Sequence, residues 1–591
     1  MSVVIADVLN RTGDPAFDRT LEQTVRMSLE GASFVTAFDR TQFRTLGVPP
    51  PPVLDEPTAR EVAIKQGLGV VVSGTLEPFG TGFSLTMKAA QAVTGNVLGS
   101  AEARASSKDG VLGAATKVGA SLRQVLGDSS EDTNQRFAAE TLSATSLDVV
   151  REYATAMEAV SNSKFDDARA RFSRAVQLDP NFGLAYAGMA MMSWNLRQQA
   201  EAEKYVKEAV SHVDKMTDRE RYRTRGLFYM ITGDDQACVK EYSDLLAQYA
   251  ADSTAHNNLA LCLSHLRKWP EALGEMKRVV EILPKRALYR VNLGLYAAYG
   301  GDFAVAAREA AVARELGSVL GWQPAAFAAA GQQQIAEAAA AYQEFGKAPF
   351  AVSAMQSGLA DLASYEGRFK DAARQYEDGA EADLKADNAD RAAAKLAGLA
   401  YAELSRGELR SAIKAAERAL ETSNASKIKF QAGRILIDAG QPAKVQPLID
   451  SLGSELLAEP QAYGKILEAN LAMKAGNARV AVQRLTEANT ILDTWIGRFD
   501  LGRAYLQAGA FTQADSEFDR CVKRKGEALA LFLDEEPTFG YFPPVLYYQG
   551  RVREGLKSAA GAAEAYRAYV KIREAAGEDP LLADARGRAS N

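Results

Sequence analysis

The tetrapeptide Val62–Lys65, with the sequence VAIK, is the stretch whose residue types most directly suggest catalysis. In phosphoryl-transfer enzymes this motif places a lysine on a strand, where its ammonium group holds the ATP phosphates. A glycine-rich loop must precede that strand, and His-Arg-Asp and Asp-Phe-Gly motifs must follow it. The sequence contains none of these partners, so a four-letter match carries little weight.

The residues around the motif predict a helix with both ends marked. Asp55 suits the positive N-terminal end, Pro57 suits the first turn, and Gly67 follows as a C-terminal cap. Lys65 then lies in the last turn, where a cation interacts favourably with the helix dipole. We therefore expect a solvated lysine near a helix end and no nucleotide chemistry.

Histidines and cysteines are the other residues that could bind a metal or act as nucleophiles. His256 and His265 lack further ligands nearby, which predicts isolated surface histidines. Cys238, Cys262 and Cys521 form no C-x-x-C spacing and too small a set for a disulfide framework, so we interpret them as small core residues. No G-x-S-x-G, P-loop or H-E-x-x-H motif occurs. The sequence predicts no enzyme, no cofactor and no metal site.

Charge and hydropathy narrow the classes of partner. The 69 basic and 75 acidic residues give a net charge of −6, whereas phosphate binding usually needs a basic face. We therefore expect no nucleic-acid partner. No apolar run reaches the about 18 residues of a membrane helix, so we expect no direct membrane insertion. The chain of 591 residues is too long for one core, and several domains or a repeat array are expected.

Residues 1–127 mix strand and helix periods, which predicts an α/β domain with one mixed sheet and about three or four helices. Hydrophobic patterns and turn residues mark the boundaries. The predicted strands cover 3–8, 33–38, 69–78 and a hairpin at 83–106. The predicted helices cover 17–29, 55–67 and 111–126, and a further short helix is predicted after Asp39, which could cap it. A proline run at 49–52 predicts a stiff extended connector. Residues 128–146 are predicted to be a linker.

From residue 147 onward a small residue recurs at a nearly fixed interval. The first seven intervals are 34, 36, 34, 34, 32, 34 and 40 residues. A bulky residue usually follows four positions later, as Phe172 follows Ala168 and Met276 follows Ala272. The small residues are Ala168, Ala202, Cys238, Ala272, Ala306, Ala338, Ala372, Ala412, Val445, Ala481, Ala514 and Ala562.

This pattern resembles the tetratricopeptide repeat (TPR), a helix-turn-helix unit of 34 residues. The small residue lets the second helix of a unit pack closely on its neighbours, and the bulky residue fills the remaining gap. Because no unit buries its apolar face alone, the units must stack. We expect about twelve repeats over 147–591, with an insertion at 535–544. The predicted fold is thus an α/β N-terminal domain, a mixed sheet with helices, followed by an all-α TPR superhelical solenoid.

Two segments of the N-terminal region resemble the TolB-N/FlgO-like domain. They are IADVLNRTGDPAFDRTLEQTVRMSLEGASFV (5–35) and AREVAIKQGLGVVVSGTLEPFGTGFSLTMKAAQAVTGNVL (59–98). Together with the repeats, they are similar to the non-catalytic C-terminal half of bacterial eukaryotic-like serine/threonine kinases. That resemblance implies a sensor or scaffold that binds protein or peptide partners in the TPR groove. It also implies that the natural chain is longer upstream, with a kinase domain and a membrane segment.

The location of the protein depends on which of two interpretations holds. A membrane-anchored kinase would place this region on the extracytoplasmic side of a bacterial membrane, and otherwise a cytoplasmic location is expected. The alternative function is an independent periplasmic or outer-membrane-associated scaffold or assembly protein, as other TolB-N/FlgO-like domains imply.

The TPR resemblance also indicates a partner-binding groove. In TPR proteins an asparagine at the sixth position of a repeat often binds a peptide backbone, and the register places Asn258 and Asn292 there. Asn257 and Leu261 are predicted to share that face, and Arg223 of the preceding repeat can add charge. A generic polar helix surface is the competing interpretation. The clamp that some TPR proteins use for a C-terminal carboxylate is not predicted.

Overall fold

The protein is described by a computed structural model with two compact units, Met1–Tyr289 and Arg290–Asn591. The structure describes residues 1–40, 43, 48–49, 51–128, 146–162, 164–196, 198–533, 536–574, 576 and 579–589. The predicted linker therefore lies outside the described residues except at its two ends. The helix expected after Asp39 also falls almost entirely outside them.

The first unit begins with the predicted mixed sheet. Its strand order is β3-β1-β4-β5-β6, and the short β2 pairs with β4. The pairings of β1 with β3 and β4, and of β2 with β4, are parallel, whereas β4–β5 and β5–β6 are antiparallel. The strands are β1 Ser2–Ile5, β2 Leu9–Asn10, β3 Thr36–Phe38, β4 Val70–Phe79, β5 Gly82–Gln91 and β6 Val97–Ala105.

Three helices among the described residues accompany this sheet: α1 Leu21–Leu29, α2 Glu56–Gln66 and α3 Gly110–Val125. The first is shorter than predicted, because a 3₁₀ turn at Pro15–Phe17 and a break replace its first residues. The first strand also ends earlier than expected, at Ile5. The hairpin was predicted correctly.

The faces of the sheet follow the alternation of side chains along each strand. Val3, Ile5, Val70 and Val72 join a core with the apolar residues of α1 and α3, and that core continues into the first two helix pairs of the repeats. Helix α2 packs against β1 and β4. Since the core runs through both kinds of structure, the α/β part and the first repeats are packed as one body.

Helix pairs follow from residue 147 onward, as the sequence predicted. In the first unit they are α4 Leu147–Ser161, α5 Phe165–Leu178, α6 Gly183–Asn195, α7 Gln199–Ser211, α8 Asp218–Thr232, α9 Asp235–Gln248, α10 Ser253–His265 and α11 Trp269–Ile282. Helix α12, Ala287–Tyr299, contains the boundary between the units.

The second unit continues the same alternation of paired helices. They are α13 Phe303–Glu315, α14 Trp322–Gly331, α15 Ile335–Phe345, α16 Val352–Tyr365, α17 Phe369–Lys385, α18 Ala389–Ser405, α19 Leu409–Thr422, α20 Ser426–Asp438, α21 Gln446–Gly453, α22 Ala458–Lys474, α23 Ala478–Ile491, α24 Trp495–Gln507, α25 Phe511–Lys523, α26 Pro544–Gly555, α27 Ala559–Ile572 and α28 Pro580–Ala589.

The recurring small residues occupy the tightest points of this packing. All twelve are buried, and eleven lie in the second helix of a pair. Glycines on first helices make the matching space for the bulky residues. A Cβ atom added at each of six glycines would lie 2.4–2.7 Å from an aromatic ring. The contacts are Gly188–Phe172, Gly226–Tyr242, Gly358–Tyr342, Gly398–Tyr376, Gly502–Phe518 and Gly550–Tyr566.

The described residues contain no helix that is both long and apolar enough to cross a membrane.

Candidate binding sites

Lys65 lies on α2 and not on a strand. Asp55 caps this helix by accepting a hydrogen bond from the backbone N–H of Thr58 at 2.9 Å, and Gly67 ends it with φ of 74°. The Lys65 ammonium pairs with Glu61 one turn earlier, and its side chain is 68% exposed. The helical prediction for this stretch is confirmed.

Across the described ranges, no group of three or more His, Cys, Asp or Glu side chains could hold a metal ion.

Arg223, expected to add charge to a peptide groove, lies in a cluster of ion pairs. Its guanidinium is 2.7 Å from Asp252 and 3.6 Å from Glu30, which stands directly after α1. Arg219 binds the same Asp252 oxygen at 2.9 Å and also donates to the backbone carbonyl of Glu30. Arg26 of α1 completes the cluster at 3.0 Å from Glu30. Arg223 thus helps to hold α1 against the repeats.

The electrostatics of this cluster favour ionised partners. Burial alone would raise the pKa of the Asp252 carboxyl, but Arg223 and Arg219 lower it well below its usual range. The pKa of Glu30 is lowered in the same way, with Arg219 and Arg26 outweighing its burial. Such pairs are costly to break, because removing one partner leaves a buried charge without compensation.

A cavity of about 190 Å³ lies beside the cluster, between α1 and the repeat helices of the first unit. Its walls include Arg26, Tyr153, Glu220, Arg223 and Tyr249. Burial raises the pKa of Glu220 to about 7, against the lowering effect of its hydrogen bonds to Thr217. The cavity is a small void at a packed interface within the first unit, with several charged side chains among its walls.

Asn257, Asn258 and Leu261 are half-buried on α10. The side-chain amide of Asn258 donates to the Tyr242 hydroxyl at 3.0 Å, and Asn257 donates to the Asn258 carbonyl oxygen at 3.2 Å. Each primary amide has two N–H donors, so within the part of the chain that the structure describes one donor of each asparagine has no acceptor, and the Asn257 oxygen has no donor. That these groups bind a peptide backbone stays a prediction.

Asn292, the other predicted asparagine, belongs to the second unit. It lies on α12, where it is half-buried, and its amide makes no hydrogen bond to any residue that the structure describes. Among the described residues, nothing therefore occupies the donors or the oxygen of the Asn292 side chain.

The histidine and cysteine predictions need correction. His256 is buried and lies 2.5 Å from Glu275 and 3.1 Å from the Ala250 carbonyl oxygen, so it is not a surface histidine. Cys238 and Cys262 are buried as predicted, but they form a disulfide bond between α9 and α10. Their separation of 24 residues gave no local signal, because the pairing depends on how two repeats stack.

In the second unit, residues 524–533 and 536–543 contact the first helices of several repeats. Asp361 of α16 accepts hydrogen bonds from the backbone N–H groups of Phe539 and Gly540 at 2.8 and 2.9 Å. The hydroxyl of Tyr401 donates to the Gly540 carbonyl at 3.2 Å, and the ring of Tyr401 stacks on Tyr541 with centroids 4.2 Å apart. The repeats thus contact, through backbone and rings, a part of the chain in which the structure describes 3₁₀ helices at Glu527–Ala530 and Phe539–Tyr541.

That segment is firmly packed. Seven of its apolar side chains are less than 9% exposed, so the segment is a permanent part of the unit: Ala528, Leu529, Ala530, Leu531, Phe532, Phe539 and Phe542. The sequence predicted only the part at 535–544 as an insertion. The stretch between α25 and α26 begins earlier, after Lys523.

A second cavity, of about 290 Å³, remains beside this segment. Aromatic rings and arginines from first helices line it, together with residues of α27 and the turn before α28. Its walls include Tyr401, Arg434, Phe499, Arg503, Tyr541, Tyr548, Tyr569 and Arg573. Asp500 lies behind the wall, where it pairs with Arg434 and with Arg503 at 3.0 Å.

Sequence reasoning missed this site because its residues are spread over about 210 positions. One signal was present. Arg434 and Arg503 sit on first helices of two repeats, and the aromatic run FGYFPPVLYY lies just after an interruption of the repeat pattern. Only the fold places the arginines and the rings around one space.

Comparison with known proteins identifies the helix pairs. The tetratricopeptide repeat family model matches residues 153–215 and 466–530. This chain carries tetratricopeptide repeats. Such repeats are typically non-catalytic and bind proteins or peptides. No curated protein matches the chain with significant similarity.

Solved structures resemble the chain at low scores. PilW, a type IV pilus biogenesis factor, has 15% identity and a TM-score of 0.30, and the match covers 34% of this chain and 92% of PilW. The Cut9–Hcn1 complex of the APC/C has 13% identity and a TM-score of 0.39, with 81% and 84% covered. YrrB, a TPR protein with an unusual peptide-binding site, has 20% identity and a TM-score of 0.22, with 29% and 86% covered. At these scores the likenesses carry no functional argument.

Proposed function

We propose that this chain is a non-catalytic scaffold that binds protein or peptide partners through its repeats. We further propose that it is the sensory half of a bacterial serine/threonine kinase signalling protein. The scaffold role is supported chiefly by the asparagine side chains of the repeat helices, which have donors and acceptors without a partner among the described residues. Asn258 and Asn292 stand at the position where TPR proteins often bind a peptide backbone.

The partner surface of the first unit includes Asn257, Asn258 and Leu261. An extended peptide backbone offers alternating N–H and C=O groups, and a side-chain amide can satisfy both kinds. Leu261 adds apolar area beside the two amides. Arg223 contributes by positioning α1 instead of contacting the partner, because its charge is already paired with Asp252 and Glu30. Asn292 contributes a separate amide in the second unit.

The Cys238–Cys262 bond supports an extracytoplasmic location. Disulfides form and persist in oxidising compartments such as the bacterial periplasm and are rare in the cytosol. This bond fits the arrangement in which the region lies beyond a membrane segment. It fits an independent periplasmic or outer-membrane-associated scaffold equally well, so that function remains the alternative.

Two measurements distinguish these functions: the sequence of the gene upstream of Met1, and the size and activity of the protein in its native host. An antibody against this region should detect a protein larger than 591 residues that fractionates with membranes and phosphorylates serine or threonine. A stop codon directly before Met1 would refute the kinase connection and leave the independent scaffold.

A further inference from the structure

The cavity of the second unit differs from an open peptide groove. Tyr541 of the stretch 536–543 forms part of its wall, and the space is about 290 Å³. That is near the lower end of small-molecule pockets, which measure about 300–1,000 Å³. The space is too small for an extended peptide of several residues and suits a ligand the size of an amino acid.

Flat rings form part of the wall. Phe499 and Tyr548 lie with ring centroids 5.7 Å apart in an edge-on arrangement. The Arg503 guanidinium lies 5.9 Å from the Phe499 ring and 5.8 Å from the Tyr548 ring. A planar ring entering this corner can stack on an aromatic face and on the guanidinium plane at once.

Several hydrogen-bond donors of Arg503 have no acceptor among the described residues. A guanidinium has five N–H groups, and among the described residues only Nη1 of Arg503 is engaged, at 3.0 Å from Asp500. Its side chain is 23% exposed, so it can be reached from the cavity. Asp500 is fully buried and also accepts from Arg434 and Asn470, so it does not hold Arg503 alone.

A second cation lines the same space. Arg573 is 1% exposed, donates to the Ser364 carbonyl at 2.8 Å, and its Nε makes no hydrogen bond within the described residues. The nearest carboxylate, Asp579, is 3.8 Å away and accepts from the Tyr569 hydroxyl. Arg434, Arg503 and Arg573 line the space together with Asp438 and Asp579, and the buried Asp500 pairs with Arg434 and Arg503 from behind the wall. The charges therefore balance, and the recognition of an anion depends on the remaining donors of Arg503.

We propose that this cavity binds a small anion that carries a planar ring, such as an aromatic carboxylic acid. The carboxylate receives hydrogen bonds from the free edge of Arg503, because Asp500 occupies only one of its donors. The ring lies against Phe499 and Tyr548. This site goes beyond partner binding, since it gives the second unit a small-molecule ligand of its own.

The test is calorimetric titration of the full chain with 4-hydroxyphenylacetate. The matched ligands are 4-hydroxyphenylacetamide, which lacks the charge, and hexanoate, which lacks the ring. The acid should bind at least about tenfold more tightly than either, since a hydrogen bond to a charged group and a ring contact each contribute on that scale. Arg503→Ala should weaken the acid by about tenfold or more.

Arg374→Ala is the matched control, because the Arg374 side chain is 71% exposed on a helix of the same unit; it should not change binding. Tyr548→Leu keeps the charge and removes a ring, and should weaken the acid while leaving hexanoate unchanged. Equal affinity of wild type and Arg503→Ala, or of acid and amide, would overturn the proposal. Tighter binding of the peptide Ala-Ala-Ala-Tyr than of the free acid would overturn it as well, because the site would then serve a peptide end.

Discussion

The carboxylate of Asp252 lies 2.7 Å from the guanidinium of Arg223, fully buried between the repeats and the α/β part. Asp252 also caps α10, since its other oxygen accepts from the Ala255 N–H at 2.9 Å. The Asp252 side chain therefore both caps α10 and forms the ion pair with Arg223.

Asp252→Asn should strongly destabilise the first unit. The asparagine can still cap the helix, but Arg219 and Arg223 lose their shared charge, a loss of about 3–5 kcal/mol for a buried pair. Because the pKa of Asp252 is lowered, its contribution is present above the unfolded pKa and is lost as the pH falls through the folded one. Urea unfolding measures the effect.

The control for that variant is Asp244→Asn. Asp244 forms an exposed pair with Lys240, and such pairs are worth about 0–1 kcal/mol. Equal effects of the two substitutions would show that the Asp252 cluster is not a buried ion pair.

Gly226→Ala should destabilise the array. The new methyl would lie 2.6 Å from the Tyr242 ring, and overpacking of this kind costs about 1–3 kcal/mol. Gly274→Ala is the matched control on α11, where nothing lies within 4 Å, so it should stabilise the helix by up to about 1 kcal/mol. Thermal unfolding of both variants measures the difference. If both shift the midpoint in the same direction, the glycine–ring packing is wrong.

Asp361 should make the second unit less stable as the pH rises. Burial raises the pKa of this carboxyl to about 7, although the N–H groups of Phe539 and Gly540 lower it. The folded state therefore holds a proton that the unfolded state releases near the reference pKa of 3.8, so stability falls between about pH 4 and pH 7, by up to about 4 kcal/mol.

Asp361→Asn removes this titration. Because Phe539 and Gly540 donate to different carboxylate oxygens, the amide oxygen can accept from only one of them, and the variant is expected to start from a lower stability at pH 5. The variant should gain stability relative to wild type on going from pH 5 to pH 8, as measured by thermal unfolding. Parallel melting curves for the two proteins across that range would contradict the buried carboxyl.

The disulfide should be present in protein taken from its native compartment. Under denaturing conditions without reductant, a maleimide reagent should label one of the three cysteines of this region, Cys521, and with reductant it should label all three, as peptide mass mapping over residues 1–591 can measure. Replacing Cys238 and Cys262 by alanine should cost about 3 kcal/mol by the loop-entropy estimate. Three reactive thiols without reductant would contradict the extracytoplasmic location.

Local spacing predicted the repeat packing well. Ala272 and Ala306 are fully buried where their spacing placed them, because each repeat meets its neighbours through the same positions. The β5–β6 hairpin and the α2 caps were predictable because each depends on residues that are close in sequence.

Contacts between distant residues were not predictable. Arg223 meets Glu30 across 193 positions, and Phe539 meets Asp361 across 178. The hydrophobic pattern of a helix does not distinguish an arginine that faces a partner protein from one that faces another part of its own chain. Arg503 was missed for this reason, since its ring neighbour Tyr548 lies beyond the interrupting segment.

Site-specific photo-crosslinking in the native host can show whether the repeats bind a protein partner through α10. A photoreactive residue replaces Leu261, and a control replaces the exposed Lys277 on α11. We expect a product of defined mass from position 261 but not from 277, and less of it when Asn257 and Asn258 are both changed to alanine. The loss of hydrogen bonds worth about 0.5–1.5 kcal/mol each predicts roughly tenfold weaker binding or somewhat more. Equal products at both positions, or a product at 261 that the asparagine variants leave unchanged, would contradict binding of a partner through α10.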